Sequence, residues 1–308
     1  MPELPEVETV VRALRGVMEG ARIARVEVRR DGLRFPFPQR FGPRLEGREI
    51  VRMTRRAKYI LATLDDDATL LVHLGMTGRF IVEAGEGFGA PGRHHNEEGT
   101  AFPHEHIVFH LAGSAARPNA RPNARPDASP GARIGYIDPR RFGIMDLVAP
   151  GGLAGHRLLA ALGVEALGPD LTRAYLQGAF AGKRAPLKAA LLDQRIIAGL
   201  GNIYVCEALH RAGLAPGRAA GTLAGAGAAK ALDRLIGAIV RTLNDAIAAG
   251  GSTLRDFAGP NGNSGYFQHD FRVYGRGGQP CPNLACGDMI HRMAQSGRST
   301  YFCPACQK

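Results

Sequence analysis

The spacing of apolar residues changes along the chain and divides it. Val7, Val10, Val11, Leu14 and Met18 recur at three- and four-residue steps, the period that lines one face of a helix. With Pro5 at the entry and Glu6 and Glu8 in the first turn, where the helix dipole favours acids, the pattern predicts an amphipathic helix over 5–18. From there the runs shorten to Ile23–Val28, Ile60–Leu64, Leu70–Leu74, Ile107–Leu111, Ile134–Ile137 and Ile144–Val148, each bounded by Gly, Pro or Asp turns. These read as strands, and residues 1–150 as two packed β-sheets. After Pro150-Gly151-Gly152 helical spacing returns over 153–162, 171–180, 187–197 and 203–212. A long stripe of Leu232, Leu235, Ile236, Ile239, Val240, Leu243 and Ile247 follows, most simply core packing. The fold class predicted is α+β and multidomain: 1–150 mostly β, 151–270 helical, and 271–308 a tail too small to be stable without a staple.

Two segments fall outside these periods. Residues 113–133 carry tandem Arg-Pro-Asn-Ala repeats, which cannot pack a core and read as a disordered, exposed loop between strands. Gly85–Gly99, rich in Gly with paired His and paired Glu, reads as a second mobile loop. With 308 residues, two domains are the default. At 45% hydrophobic and 22% charged residues, wholesale disorder is excluded. No run of about 18 apolar residues and no basic-then-apolar start exists, so neither a membrane span nor a signal peptide is expected, and the cytoplasm follows by default.

The net charge of +11 points to an anionic partner, nucleic acid before membrane surface. Residues 1–150 hold 22 basic and 19 acidic side chains and 151–308 hold 17 and 9, so the excess sits in the second half. An arginine-rich composition without a ligand explains the total equally; only five of the 39 basic residues are lysine.

Four of the five cysteines crowd the tail as Cys281-x4-Cys286, sixteen residues, then Cys303-x2-Cys306. That spacing suits a four-thiolate zinc site closing a β-ribbon, and with no open position the single zinc is structural. Arg292 and Arg298 lie between the pairs and place cations on the finger, or simply solvate a hairpin. Asn202 follows Gly199-Leu200-Gly201 and precedes an apolar run, as an N-cap does, which prepares a phosphate site or only a helix start. Pro2 follows the initiator Met, and its removal frees a secondary amine beside Glu3 and Glu6. An α-amino group has a pKa of about 8, low enough to serve as a nucleophile without rescue. Attack at a sugar C1′ gives an iminium ion that permits elimination of neighbouring phosphates. On this segment alone, Pro2 and Pro5 shaping a helix entry is the simpler reading. Lys58 is the only lysine in residues 1–150, a hint that a compact point charge is wanted there.

Taken together, the pieces resemble one family closely. Pro2-Glu3-Leu4-Pro5-Glu6-Val7-Glu8-Thr9, Arg56-Ala57-Lys58-Tyr59, His73-Leu74-Gly75-Met76-Thr77-Gly78, Asp138-Pro139-Arg140-Arg141-Phe142-Gly143, Leu192-Asp193-Gln194 with Ile197-Ala198-Gly199-Leu200-Gly201-Asn202-Ile203-Tyr204, and Gly297-Arg298-Ser299-Thr300 before the last cysteine pair look like bacterial formamidopyrimidine-DNA glycosylase. The match runs in order over nearly the whole chain outside the two loops. It implies a β-sandwich N-terminal domain, a helix-two-turn-helix domain and a zinc finger, acting as a monomer on duplex DNA bound between domains, with the damaged nucleotide flipped from the stack. It further implies Pro2 as Schiff-base nucleophile, Glu3 as general acid/base and Glu6 as support. Lys58, Asn202 and Arg298 would grip phosphates, joined by His73 and His104 as DNA contacts. Met76, Arg140 and Phe142 would fill the vacated space, Phe142 as a wedge and Arg140 on the orphaned cytosine. Lys188 and Tyr204 would be further DNA contacts, and Gly259–Tyr266 a mobile lid.

The activity so implied is removal of 8-oxoguanine opposite cytosine and of formamidopyrimidines, then strand cleavage by β,δ-elimination. An endonuclease VIII-like enzyme for oxidised pyrimidines keeps the fold; Leu4, where that relative has Gly, and the intact Arg140-Arg141-Phe142 segment oppose it. A damage-sensing binder without chemistry has no use for Pro2, Glu3 and Lys58 together, and an anionic-membrane binder has only the net charge. Three departures from the family pattern stand out: the four-residue first knuckle, Cys206 where an acidic residue is more common, read as a buried inert thiol, and the Arg-Pro-Asn-Ala insertion. His94, His95, His104, His106 and His110 could suggest a second metal, but strand alternation and phosphate contact account for His104 and His106 more simply.

Overall fold

The computed structural model describes residues 2–83, 102–112, 131–252 and 265–308. The Gly85–Gly99 loop, with His94 and His95, most of the 113–133 repeat and residues 259–264 of the expected lid lie outside them. The described chain forms two compact units. One holds residues 2, 6–160, 250–252 and 265; the other holds 3–5, 161–249 and 266–308.

In chain order the elements of the first unit are helix α1 (Leu4–Met18), β1 (Ile23–Val28), the short α2 (Phe41–Leu45), β2 (Ile50–Arg56), β3 (Tyr59–Leu64), β4 (Thr69–His73), β5 (Arg79–Glu83), β6 (Glu105–Leu111), β7 (Arg133–Ile137) and β8 (Ile144–Val148). They build two four-stranded sheets, ordered β1-β6-β7-β5 and β2-β3-β4-β8, antiparallel throughout. Ile23, Phe109, Ile134 and Tyr136 from one sheet and Met53, Ile60, Leu70 and Val72 from the other share a single core, so the unit is a sandwich. The predicted stripe Val7, Val10, Val11, Leu14 and Met18 of α1 packs into that same core.

Two strands carried no clear signal. β2 reads Ile-Val-Arg-Met-Thr-Arg-Arg and β5 Arg-Phe-Ile-Val-Glu, and each stands at a sheet edge. Charged side chains there blunt an exposed edge and also erase the apolar run.

The second unit contains β9 (Val164–Glu165), α3 (Arg173–Phe180), α4 (Leu187–Leu192), β10 (Ile197–Ala198), α5 (Asn202–Ala212), α6 (Ala229–Ala248), β11 (His291–Gln295) and β12 (Arg298–Phe302). Helices α3 to α6 share one core, with Phe180, Leu191, Leu209, Leu235 and Ile239 fully buried in it. The helix predicted over 153–162 is absent: those residues form turns. Gly151, Gly152 and Gly155 disfavour helix, and the His156 ring is tied at both nitrogens, its Nε2 3.2 Å from Asp146 Oδ2 and its Nδ1 accepting from Leu158 N. The helix predicted over 187–197 stops at Leu192 and gives way to two tight turns. Gln194 builds them: its Nε2 donates to Leu192 O and Leu200 O, and its Oε1 accepts from Gly199 N. β11 and β12 pair antiparallel across Ser296-Gly297 as the expected ribbon.

Candidate active site and nucleic-acid interface

The N-terminal carboxylates are buried and each is held by backbone. Glu3 Oε1 accepts Ile203 N–H at 3.2 Å, at the start of α5, where unpaired amides and the helix dipole favour an anion. Gly201, not Asn202, is the N-cap; its backbone is extended and its side-chain position is occupied, since a Cβ there would overlap the Glu3 carboxyl carbon. Gly199, at φ 101, lies under Leu4 in the same way. The Gly-Leu-Gly stretch is thus the floor on which Glu3 and Leu4 rest, and Asn202 is the first helical residue, its Nδ2 donating to Ser299 O at 3.0 Å. Glu6 Oε1 accepts from both N and Oγ of Ser252, at 2.8 and 3.0 Å, beside Gly251 at φ 84. Glu6 therefore anchors the chain immediately before residue 253. Pro2 is buried next to these groups in sequence.

Lys58 lies in the two-residue turn from β2 to β3, where Ala57 takes a left-handed φ of 51, and it is largely buried. His73, the last residue of β4, pairs in register with Tyr59, their rings 4.9 Å apart. Its Nδ1 accepts Gly75 N–H at 3.0 Å, which leaves the ring proton on Nε2. Burial, aided by the cations Lys58 and Arg34, holds its pKa down to about 4. His73 is therefore a neutral N–H donor beside two cations, a group suited to a phosphate oxygen at any physiological pH.

Met76, Arg140 and Phe142 come from two loops that the fold locks together. Asp138, fully buried, accepts from Thr77 Oγ1 at 2.6 Å and from Gly143 N at 2.7 Å, while Thr77 Oγ1 accepts Arg140 N–H. Gly75, at φ 63, presses against the Phe142 backbone with no room for a Cβ. Met76 and Phe142 are consequently exposed at 38% and 42% although apolar, and the Arg140 guanidinium stacks 4.8 Å over the Phe142 ring. Replacing Asp138 with Ala strips two charge-assisted hydrogen bonds from a buried site, and is expected to cost about 3 kcal/mol of stability, read by denaturant unfolding. The motifs that contain Asp138 and Gln194 do not by themselves reveal a task for either residue. Both are clamps; the signal available for Asp138 was a carboxylate placed directly before the Pro139 turn, and Gln194 carried none.

The histidines separate. His104, at φ 63, is exposed, and its C=O accepts Asp138 N–H. His106 is buried with Nε2 2.9 Å from Asp138 O, which makes it a structural residue and not a phosphate contact. His110 Nε2 lies 2.7 Å from Glu27 Oε1.

In the second unit Arg298 stands exposed at the start of β12, just past the Ser296-Gly297 turn. Ser299 O receives both Asn202 Nδ2 and Lys188 Nζ, and Lys188 also donates to Thr300 Oγ1 at 2.7 Å. Lys188 is only 1% exposed and Tyr204 not at all. Lys188 spends its charge on the ribbon backbone, and Tyr204 packs in the helical core with its ring 5.9 Å from Phe267. Burial pushes the Cys206 thiol up to about 11, so it is protonated and inert at neutral pH.

The four tail thiols converge. The Sγ atoms of Cys281, Cys286, Cys303 and Cys306 all lie within 4.8 Å of one another; Cys281 to Cys306 is 3.8 Å and Cys286 to Cys303 is 3.5 Å. A tetrahedron of sulfurs at a Zn–S length of about 2.3 Å has edges near 3.8 Å, whereas a disulfide needs about 2.05 Å. The residues fit one structural zinc. Among the described residues this is the one cluster of metal-ligating side chains, and no helix there is long and apolar enough to cross a membrane.

Three family models match the chain: Formamidopyrimidine-DNA glycosylase N-terminal domain over 1–145, Formamidopyrimidine-DNA glycosylase H2TH domain over 162–258, and Zinc finger found in FPG and IleRS over 278–308. Formamidopyrimidine-DNA glycosylase of Brucella ovis is 53% identical over 307 residues, and that of Rhizobium etli 51% over 310, each covering 100% of both chains. The crystal structure of the MutM (Fpg) protein of Thermus thermophilus superposes with TM-score 0.78 at 37% identity, over 99% of this chain and 98% of that one. Lactococcus lactis Fpg in complex with abasic-site DNA gives 0.80 at 28% identity, covering both chains fully. With the sandwich, the two-turn helical motif and the four-thiolate ribbon all present in the matching order, the chain belongs to the formamidopyrimidine-DNA glycosylase family.

Proposed function

We infer that this protein excises oxidised purines from duplex DNA, chiefly 8-oxoguanine opposite cytosine and formamidopyrimidines, and then cleaves the abasic strand by β,δ-elimination. The observation that carries the reading is the pairing of the Pro2 amine in sequence with Glu3, whose carboxylate the α5 N-terminus receives. Solved complexes of Lactococcus lactis Fpg hold DNA with an N7-benzyl-Fapy-dG or an abasic site, which supports DNA of the same kind as substrate here.

In this account, loss of Met1 frees the Pro2 nitrogen, whose lone pair attacks C1′ and displaces the base with its bonding electrons. Glu3 takes the amine proton and passes it to the ring oxygen as the sugar opens, leaving an iminium ion. The iminium acidifies C2′, so loss of a proton there expels the 3′ phosphate, and a second elimination expels the 5′ phosphate. Glu6 supports the site by fixing residues 251–252. Lys58, the Nε2–H of His73, Asn202, Arg298 and exposed His104 grip phosphates. Met76, Arg140 and Phe142 occupy the space the flipped nucleotide leaves, an apolar wedge with a cation stacked on it. Lys188 and Tyr204 serve by holding the ribbon and the helical core. On this reading 1–150 is the catalytic domain, 151–270 the helix-two-turn-helix DNA-binding domain and 271–308 the finger. The protein works as a monomer in the cytoplasm, at the nucleoid.

Excision of 8-oxoguanine opposite cytosine and of thymine glycol, measured side by side in single turnover, tests the substrate. Faster release of 8-oxoguanine is expected; preference for thymine glycol would make the protein an oxidised-pyrimidine glycosylase of endonuclease VIII type.

A further inference from the structure

The zinc thiolates meet two N–H groups that the metal reading leaves unexplained. His210, on the last turn of α5, is 7% exposed, and its Nε2 lies 3.7 Å from Cys281 Sγ. Its Nδ1 is buried without a hydrogen-bond partner among the described residues. That bookkeeping fixes the tautomer. A zinc-bound thiolate accepts and cannot donate, and a buried lone pair at Nδ1 is less costly than a buried unmet N–H, so the proton sits on Nε2 and points at sulfur. Asn283 lies inside the four-residue first knuckle. Its Oδ1 accepts Ala285 N–H at 3.3 Å, which orients the amide, and its Nδ2 is 3.5 Å from Cys306 Sγ.

Four thiolates on one Zn2+ leave the cluster with a net charge of −2, and N–H donors to sulfur spread that charge while fixing the ligand rotamers. Along α5, Asn202, Cys206 and His210 recur at four-residue steps and so share one face. Asn202 bonds Ser299 O of β12, Cys206 packs in the small core with Cys281 and Cys303, and His210 reaches Cys281. Glu207, beside them, accepts the backbone N–H groups of Arg272, Val273 and Tyr274. The finger is therefore built against this helix, and its metal end is tied there through His210.

We infer that His210 and Asn283 form a hydrogen-bonding shell on the zinc thiolates, His210 from α5 onto Cys281 and Asn283 from the lengthened knuckle onto Cys306, and that this shell sets how long the finger keeps its metal. The inference rests on the four-thiolate zinc reading. It concerns positioning residues, since neither side chain is a ligand.

The test uses the full-length zinc-loaded protein, its zinc content measured first, with release followed by an excess of a metallochromic chelator. His210→Phe, which keeps a ring but no donor, is expected to lose zinc about tenfold faster or more, the scale of removing a ligand's hydrogen-bond partner. His210→Gln, which keeps an N–H, is expected to stay within about threefold of the parent, and Asn283→Ala, at an exposed position, to fall between. Release from His210→Phe at the parent rate, or from His210→Gln as fast as from His210→Phe, would overturn the shell. A parent protein without one zinc per chain would overturn the metal reading itself, before any variant is compared.

Discussion

Protein that retains Met1 is expected to bind a lesion duplex and do nothing further to it, and Pro2→Gly to come close to the same result. With Met1 in place the Pro2 nitrogen is an amide, its lone pair delocalised, and no iminium can form. In Pro2→Gly an amine survives, but it is a primary amine, and the pyrrolidine ring that holds and aims the nitrogen is gone. Base release and strand cleavage are expected to fall on the order of 10⁴-fold or more, as when a covalent nucleophile is removed. Duplex affinity is expected to hold, because Lys58, His73, Arg140, Phe142 and Arg298 are untouched. Gel-based single-turnover cleavage beside fluorescence anisotropy separates the two quantities. Normal strand cleavage by either protein would take the nucleophile away from Pro2.

Stripping the zinc, by chelation or by Cys303→Ser, is expected to produce the second large effect. The finger's own core is Val273, Ile290 and the cysteines, with Cys206 from α5, too little apolar surface to hold a fold, so metal binding is here folding energy. Loss of the ribbon releases Arg298 and withdraws Ser299 and Thr300 from Asn202 and Lys188. Lys188 is then a buried cation without its acceptors, and α4 loosens with it. Lesion-duplex affinity is expected to drop roughly 10- to 100-fold, the worth of one or two charge-assisted contacts. The sandwich core of α1 with β1 to β8 shares none of these residues, so the tyrosine signal of Tyr136 in that core should persist. An apo protein that binds the duplex as tightly as the parent would remove the finger from the interface.

The periodic elements were legible in the sequence. β1 and β8 begin and end where the apolar runs do, and α1 differs by one residue at its start. Edge strands β2 and β5 were not legible, because the charges that protect an edge are the ones that break an apolar run. The 153–162 segment shows the converse failure: leucines at helical steps are overridden by Gly155, by the Gly151-Gly152 pair just before it and by the His156 to Asp146 contact.

For the site, Pro2, Glu3, Lys58, Met76, Arg140, Phe142 and the four cysteines were named from motifs, yet what the glycines between them do emerges only in three dimensions. Gly199 and Gly201 look like helix-start residues in sequence, but are spaces kept open for Leu4 and Glu3, nearly two hundred positions away. The surroundings of Lys188 and Tyr204 were hidden for a related reason. A lysine and a tyrosine beside a DNA-binding motif suggest a surface, and burial is set by partners, Ser299, Thr300 and Phe267, that no local window contains.

The measurement that bears most directly on imine chemistry at the N-terminus is borohydride trapping on a duplex with a single 8-oxoguanine opposite cytosine, after mass spectrometry has established that the chain begins at Pro2. A covalent protein–DNA adduct whose modified peptide maps to Pro2 is the predicted result. Tight binding of the same duplex with no adduct would contradict it, and would leave a protein that senses the lesion without acting on it.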